Sequence, residues 1–384
     1  MALQRTRVAL VAGVAVASLA AVSIPALTGS AGAASAVNWA KVTHLTKSGP
    51  TSMAALVKAA KAEGHLNVIA LPNNWANYGN IIKDFHKKYG ITINSENPEG
   101  SSAEEIQAIQ QDKGRSSDPD VIDVGTSYAV TAKSEGLLAP YKVSTWAAIP
   151  PALKNPAGYW FDDYGGYVAI GCDTKTVKHC PTSLTQMLTE TGAQGYKIGI
   201  NNSPLTSNSA LAAVQAAAIA NGGSLNNVAP GVSFFATLNK HGAFVNTIAN
   251  ATTAENGSTN VILWWDYLMA NGGIALPGWK VTIPSDVLLG ESYTQAINAS
   301  APDPAAARLW EEFLYSPQGQ NLWLAGGARP VEQAYMTAHG TINKALLAKL
   351  PPLPKGQKPQ YPTTAQITKA AATVNSTWAA KVGS

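Results

Sequence analysis

Charged side chains are scarce in this chain of 384 residues. Asp, Glu, Lys and Arg together make up 13% of it, and the formal net charge is only +4. No cluster of Lys and Arg is interleaved with aromatic residues, although nucleic-acid-binding surfaces need such clusters. We therefore expect no nucleic-acid partner. The 10 Trp and 13 Tyr residues are numerous for a chain so poor in charge, and aromatic side chains often line sites for small organic solutes.

The sequence motifs of common enzymes are also missing. The segment 125–129 reads GTSYA, so it lacks the second glycine of G-x-S-x-G, and the H-E-x-x-H, P-loop and G-x-G-x-x-G motifs do not occur. The six His residues show no paired spacing typical of a metal site. Adjacent Asp162 and Asp163 would point to opposite faces of a strand, which does not suit the carboxylate pair of a glycosidase. We therefore expect no enzymatic activity, cofactor or metal, and a secreted hydrolase is the enzymatic alternative.

Long apolar runs are absent beyond the N-terminus, and residues 1–36 have the pattern of a secretory signal peptide. Arg5 and Arg7 precede an Ala-rich apolar run over 8–27, and possible A-x-A cleavage sites end at Ala33 and Ala36. No cysteine lies near these sites, which argues against a lipoprotein anchor. No later segment is apolar enough to span a membrane. We therefore expect an exported protein whose signal is removed near Ala33 or Ala36.

Cysteine is limited to Cys172 and Cys180, which are eight positions apart. In an exported protein such a pair forms a disulfide by default. A metal site that also uses the adjacent His179 is the alternative, but two thiols and one His match no recognised zinc spacing. The sequence therefore predicts a disulfide that closes a small loop.

The roughly 350 residues beyond position 36 exceed what one hydrophobic core usually serves, so we expect two lobes. Short apolar strands alternate with helices, in the βαβ rhythm of a doubly wound sheet. The predicted strands include 66–71, 91–93, 121–124, 167–170, 196–200 and 261–264, and the predicted helices include 52–62, 183–191, 210–220, 232–239 and 364–382. Capping residues mark several helix starts. These are Ser102 with Glu105 as a capping box, Asn208, Asp303 before Pro304, and Ser316 before Pro317.

Four segments carry a more specific pattern. Residues 59–68 read A-A-K-x-E-G-x-L-x-V, residues 120–125 read D-V-x-D-V-G, and residues 135–141 read E-G-L-L-A-P-Y. The segment 292–329 combines a strand with A-P-x-P-x-A-A and then S-P-x-G-Q. In wording and order the chain resembles the bacterial extracellular solute-binding proteins of ABC importers, in the branch that binds iron, polyamines, thiamine or phosphonates.

This resemblance implies a two-lobed α/β fold of the type II periplasmic-binding-protein kind. Each lobe would be a mixed sheet flanked by helices, and crossing strands would form the hinge. Residues 37–170 would form the first part of lobe 1, residues 171–288 lobe 2, and residues 289–384 the return to lobe 1 with the C-terminal helices. The implied protein is an extracytoplasmic monomer that captures a small solute and delivers it to the membrane subunits of an ABC permease.

In open α/β sheets, ligands bind where strands end and loops lead into helices. This rule predicts that five such stretches face each other across a cleft. Several of the residues also have a purely structural interpretation, as turn residues or as caps of helices. The expected ligand-binding residues are Asn74, Trp75, Tyr78, Ser101, Ser102, Thr126, Ser127, Tyr128, Asn202, Ser203, Trp265, Asp266 and Tyr267.

Asp266 is the residue that indicates a ligand class. An acid between aromatic residues suits an organic amine, through an ion pair and a cation–π contact. The polyamine-binding branch holds its ligand with a Trp and an Asp in a comparable loop, which implies this role for Asp266, although a helix N-cap is the alternative. The ferric-binding branch uses adjacent tyrosines, and no Tyr-Tyr pair occurs. We therefore expect a polyamine or other amine. Iron, thiamine, a phosphonate or a secreted binding protein without a transport role are the alternatives.

Overall fold

The computed structural model describes residues 37–270 and 276–383, so the predicted signal segment lies outside the described residues. Within these ranges the strands are β1 (His65–Ile69), β2 (Thr92–Glu96), β3 (Val121–Gly125), β4 (Leu138–Ala139), β5 (Phe161–Asp173), β6 (Ile198–Ile200), β7 (Val261–Trp265), β8 (Trp279–Thr282), β9 (Gly290–Asn298) and β10 (Arg329–Pro330). The helices are α1 (Met53–Glu63), α2 (Tyr78–Tyr89), α3 (Ser102–Gln111), α4 (Thr126–Ser134), α5 (Leu184–Gln194), α6 (Asn208–Ala220), α7 (Ala229–Lys240), α8 (Ala251–Glu255), α9 (Asp266–Ala270), α10 (Pro304–Leu314), α11 (Pro317–Ala325), α12 (Gln333–Ala338), α13 (Lys344–Leu347) and α14 (Thr364–Lys381). In the part of the chain that is described, no helix is both long and apolar enough to cross a membrane.

The strands form a mixed sheet in the order β2-β1-β3-β9-β5-β7-β6. In addition, β8 and β10 pair with β5, and β4 pairs with β9. The first strand group contains β1, β2, β3 and β9, and the start of β5 pairs with β9 and β10. The second strand group contains β6, β7 and β8, and the end of β5 pairs with β7 and β8. The long strand β5 therefore belongs to both groups. The predicted mixed α/β fold is confirmed, and the predicted strand 167–170 is the middle of β5.

Helix starts and stops explain why these segments fold locally. The Ser52 side chain accepts a hydrogen bond from the backbone of Ala55, and Gly64 ends α1 in the left-handed conformation (φ 79°). Ser316 caps α11 in the predicted way. The apolar face of α10 is buried, with Trp310 packed against Phe85 at 5.1 Å between ring centroids. The predicted disulfide between Cys172 and Cys180 is present.

Three predicted caps differ from the structure. The capping box of α3 is Ser101 with Glu104, so the prediction of Ser102 with Glu105 is wrong by one residue. The cap of α6 is Ser207 instead of Asn208. Asp303 precedes Pro304 as expected, but its side chain caps no backbone group. The reason is tertiary: the carboxylate of Glu63, at the end of α1, accepts the backbone N–H groups of Ala305 and Ala306 at 3.1 and 2.7 Å.

The last helix packs mainly on the second strand group's helices, although the return segment was expected to keep it with the first. The Trp378 ring lies 5.4 Å from that of Phe235 in α7, and the Asn239 side chain donates to the carbonyl of Val382 at 2.8 Å. The start of α14 also contacts α4. Helix α14 therefore contacts elements of both groups. It lies mainly on α7 because the apolar partner of Trp378, near its C-terminus, is Phe235 of that helix.

Most buried charged side chains are acids. Arg308 is the one cation among the fully buried residues that the structure describes, whereas buried acids are numerous: Glu105, Asp118, Asp120, Asp123, Asp162, Asp163, Asp266, Glu291, Glu311, Glu312 and Glu332. Burial disfavours the charged form of a carboxyl group. Burial accordingly raises the pKa of Asp120 to about 8 and the pKa of Asp162 to about 7, although hydrogen bonds lower both.

We predict that the free energy of unfolding is higher near pH 5 than near pH 8. The raised pKa values mean that the folded chain holds more protons than the unfolded chain above about pH 4, and such a difference removes stability as pH rises through the folded-state pKa values. Urea unfolding at both pH values measures the effect. The Asp162→Asn variant should show a smaller drop, because position 162 no longer titrates. Stability that increases from pH 5 to pH 8 would contradict the prediction.

Candidate functional site

A cavity of about 550 Å³ lies between loops of the two strand groups. The first group contributes the loops that follow β1 and β2, together with Asp123 of β3 and Tyr293 of β9. The second group contributes parts of the loop and helix start over 201–209, with Ile248 and Asn250. Several of these loops follow the carboxyl ends of parallel strands, where ligands bind in open α/β sheets. The volume of the cavity lies in the range that suits a small solute.

Asp123 supplies a buried carboxyl group to this cavity. Its side-chain Oδ2 accepts hydrogen bonds from the hydroxyls of Tyr78 at 2.5 Å and Tyr164 at 3.1 Å, whereas Oδ1 has no partner. The neighbouring Glu105 accepts the backbone N–H of Asp123 at 2.9 Å. Burial raises the pKa of Asp123 to about 7, although the two tyrosine hydroxyls lower it. A cation placed beside Asp123 would favour the ionised form of this carboxyl group.

Aromatic rings form one side of the cavity. Trp75 and Tyr293 line it, with ring centroids 5.5 Å apart and ring planes 79° apart. Behind them, Trp264 and Tyr267 lie 5.8 and 6.4 Å from the Trp75 ring. The indole N–H of Trp75 donates to the hydroxyl of Tyr164 at 2.8 Å. Rings from both strand groups therefore meet beside the Asp123 carboxyl group.

The structure brings part of the predicted set together. Trp75, Ser101, Ser102 and Asn202 line the cavity. Ser102 is the first residue of α3, after the cap Ser101. Its hydroxyl accepts the backbone N–H of Gly125 at 3.1 Å. The other predicted residues lie outside the lining of this cavity: Asn74, Tyr78, Thr126, Ser127, Tyr128, Ser203, Trp265, Asp266 and Tyr267.

The stretch after β3 is helical from its first residue, which turns its side chains away from the cavity. The Thr126 hydroxyl meets that of Thr294 at 3.0 Å. Ser127 and Tyr128 line a separate groove of about 390 Å³ between α4, α14 and the loop before α6. This groove exists because α14 packs beside α4, a contact that the sequence pattern did not indicate.

The stretch after β7 is buried for a similar reason, because α9 begins at Asp266 with no intervening loop. The Asp266 carboxylate is fully buried, accepts the backbone N–H of Tyr167 at 2.9 Å and forms an ion pair with Arg329. Gly166 makes this approach possible, since a Cβ there would lie 2.5 Å from Asp266 Oδ1. Burial raises the pKa of Asp266, whereas Arg329 lowers it. In this structure the Asp266 charge is neutralised within the protein.

Sequence reasoning missed Glu105, Asp123 and Tyr293. Asp123 was assigned to a buried strand. An acid near the carboxyl end of an otherwise apolar strand could have indicated that it belongs to the site. Glu105 was interpreted as half of a capping box, and Tyr293 as a strand residue. Among the residues that the structure describes, no group of three or more His, Cys, Asp or Glu side chains could hold a metal ion.

Comparisons with known proteins agree with this architecture. The family model described as bacterial extracellular solute-binding protein matches residues 117–369, which is more than half of the chain. No curated protein sequence matches the chain. An ABC transporter substrate-binding protein from Bradyrhizobium japonicum USDA 110 is 19% identical, with a TM-score of 0.64 over 83% of this chain and 99% of that one.

Two further similar solved structures are named with a ligand. The Atu4243-GABA receptor is 15% identical, with a TM-score of 0.60 over 83% of this chain and 97% of that one. Iron-bound HitA from Pseudomonas aeruginosa is 21% identical, with a TM-score of 0.58 over 81% of this chain and 97% of that one. At these identities the likeness shows a shared fold and leaves the ligand open.

We predict that Arg329→Met lowers the free energy of unfolding by about 3–5 kcal/mol, because it leaves the buried Asp266 carboxylate without its cation. Urea unfolding of the variant and the parent protein measures this loss. The matched control is Arg115→Met, which removes the exposed ion pair with Asp112 and should change stability little. Equal losses in the two variants would contradict a structural role for the Arg329–Asp266 pair.

Proposed function

The chain belongs to the bacterial extracellular solute-binding protein family, and we propose that its solute is a small organic amine that it captures in the 550 Å³ cavity. Members of this family work outside the cytoplasm as binding components of ABC transporters. The proposal specifies the ligand class, the residues that contact it and delivery to the membrane subunits of a permease. It also includes a monomeric state and export with signal cleavage near Ala33 or Ala36.

The charge of the cavity lining carries this proposal. Glu105 and Asp123 are its buried acids, and Glu99 and Glu104 are exposed acids at its edge. None of the described residues that line the cavity is Lys, Arg or His. Carboxylates beside aromatic rings attract a cation, through ion pairing and through the ring quadrupoles. The acid that we expect to hold the amine is therefore Asp123, whereas the sequence pattern favoured Asp266.

Cleft closure is the mechanism that we propose. We place lobe 1 at 37–170 and from 289 onward, lobe 2 at 171–288, and the hinge where β5 pairs with β9; α14 lies against lobe 2. Asp123 and Trp75 would hold the amine on lobe 1, while the amide side chains of Asn202 and Asn208 would approach it from lobe 2. A ligand favours the closed state only through contacts that the open state lacks.

Ferric iron is the second candidate, because carboxylates and the Tyr293 hydroxyl, all hard oxygen donors, lie near the cavity. It ranks below an amine because the aromatic rings would add nothing to iron coordination, whereas they suit an organic cation. A phosphonate or another anionic solute fits poorly, since the described lining offers no basic side chain to pair with it.

We predict that Asp123→Asn weakens binding of the amine by about 30-fold or more, because it removes the buried charge that pairs with the ammonium group. A thermal-shift panel of putrescine, spermidine, thiamine, aminoethylphosphonate and ferric citrate identifies a binder, and calorimetry measures its Kd. The control is Asp162→Asn, which alters a buried acid outside the cavity lining. If only ferric citrate shifts the melting temperature, the amine proposal is wrong.

We also predict that amine binding tightens between pH 6 and pH 8. The pKa of Asp123 is about 7 without ligand, so the carboxyl group is largely protonated below that pH and pairs poorly with a cation. At higher pH the Asp123 carboxyl group is already ionised before the ligand arrives, so binding no longer has to remove its proton. An aliphatic amine stays protonated over the same range. Calorimetry across this range tests the trend. An affinity that is constant or falls with pH would show that no carboxyl group with a raised pKa holds the ligand.

A further inference from the structure

We infer that the cationic group beside Asp123 is an alkylated ammonium, with a quaternary or tertiary nitrogen, rather than a primary amine. This inference rests on the proposed function, since it refines the ligand of the same cavity. Two features carry it: Asp123 itself has one unpartnered side-chain oxygen, and aromatic rings line the cavity on the same side.

The hydrogen-bonding capacity of Asp123 itself is partly in use. Its Oδ2 already accepts the hydroxyls of Tyr78 and Tyr164, and Oδ1 is the one side-chain oxygen of Asp123 that has no partner. A primary ammonium group carries three N–H donors. Each N–H that is buried without an acceptor costs free energy. At Asp123 itself a primary amine would therefore find one unpartnered oxygen for its three N–H groups, while the unpartnered Oε1 of the cross-strand Gln295 lies outside the cavity lining.

Aromatic rings line the cavity close to Asp123. Trp75 and Tyr293 line the cavity with their ring planes 79° apart, so that they form two walls of a corner. Tyr164 is stacked on Tyr293 at 5.6 Å, and Tyr164 is also bonded to Asp123. Methylated ammonium groups have few or no N–H donors and bind favourably against aromatic rings. The carboxylate complements the positive charge of an alkylated ammonium, and the two aromatic rings complement its apolar alkyl groups.

The position of Trp75 is held by its backbone. The next two residues, Ala76 and Asn77, both have positive φ values, at 44° and 74°. The value at Ala76 is costly, whereas asparagine tolerates the left-handed region, and such strain clusters at ligand sites. The Asn77 side chain donates to the carbonyl of Leu322 at 2.8 Å, and the Trp75 indole donates to Tyr164. The turn after Trp75 is therefore anchored to α11, and the indole is linked to Asp123 through the hydroxyl of Tyr164.

A methylation series on one carbon skeleton tests the inference. Calorimetry at pH 8 with ethanolamine, N-methylethanolamine, N,N-dimethylethanolamine and choline should give a Kd that falls along the series, with choline at least about tenfold tighter than ethanolamine. Trp75→Leu should remove this preference, and Trp75→Phe should retain part of it. Trp146→Leu is the matched control, because it removes a half-buried Trp outside the cavity lining and should leave the series unchanged.

The outcomes separate the two proposals. If ethanolamine or putrescine binds as tightly as choline, the inference is overturned and the amine-binding function stands. A preference for choline that survives in Trp75→Leu also overturns it, because the aromatic wall then does not select the ligand. If neither the series nor putrescine and spermidine bind, the proposed function fails together with the inference. Circular dichroism and melting temperatures establish that each variant folds.

Discussion

The pairing of β5 with β9 is the interaction on which the two strand groups depend. Gly165, Gly166 and Tyr167 of β5 lie opposite Ser292, Glu291 and Gly290 of β9. The strands approach so closely here that a Cβ on Gly165 would lie 2.6 Å from the carbonyl oxygen of Glu291. Glycine is therefore required at this position.

Polar groups buried near this pairing give the cavity its chemistry. Glu291 is held by the Asn208 side chain from α6, and Asp266 is held by Arg329. Asp123 differs from Asp266, because it has tyrosine hydroxyls as partners but no cation. A buried acid with an unpartnered oxygen costs stability. Such a cost is common at functional sites, where a ligand supplies the missing partner.

The sequence pattern predicted elements that depend on neighbouring residues. The mixed α/β fold, the ends of α1 and the disulfide all follow from local spacing, capping and composition, and the structure confirms them. Contacts between distant segments were harder to predict. Glu63 caps α10 across 242 residues of chain, and Trp378 of α14 packs on Phe235 of α7, but neither pairing leaves a periodic signal in the sequence.

For the cavity, the sequence by itself determined which loops end at the sheet edge, because apolar strands and helix caps are local features. These loops include Trp75, Ser101, Ser102 and Asn202, which line the cavity and stay predictions as ligand-binding residues. Only the tertiary structure decided which acid faces the cavity. Asp123 and Asp266 both follow apolar residues of a strand, and Arg329, 63 positions from Asp266, neutralises one of them. Charge pairing depends on distance in space, and a single sequence does not encode that distance in its local pattern.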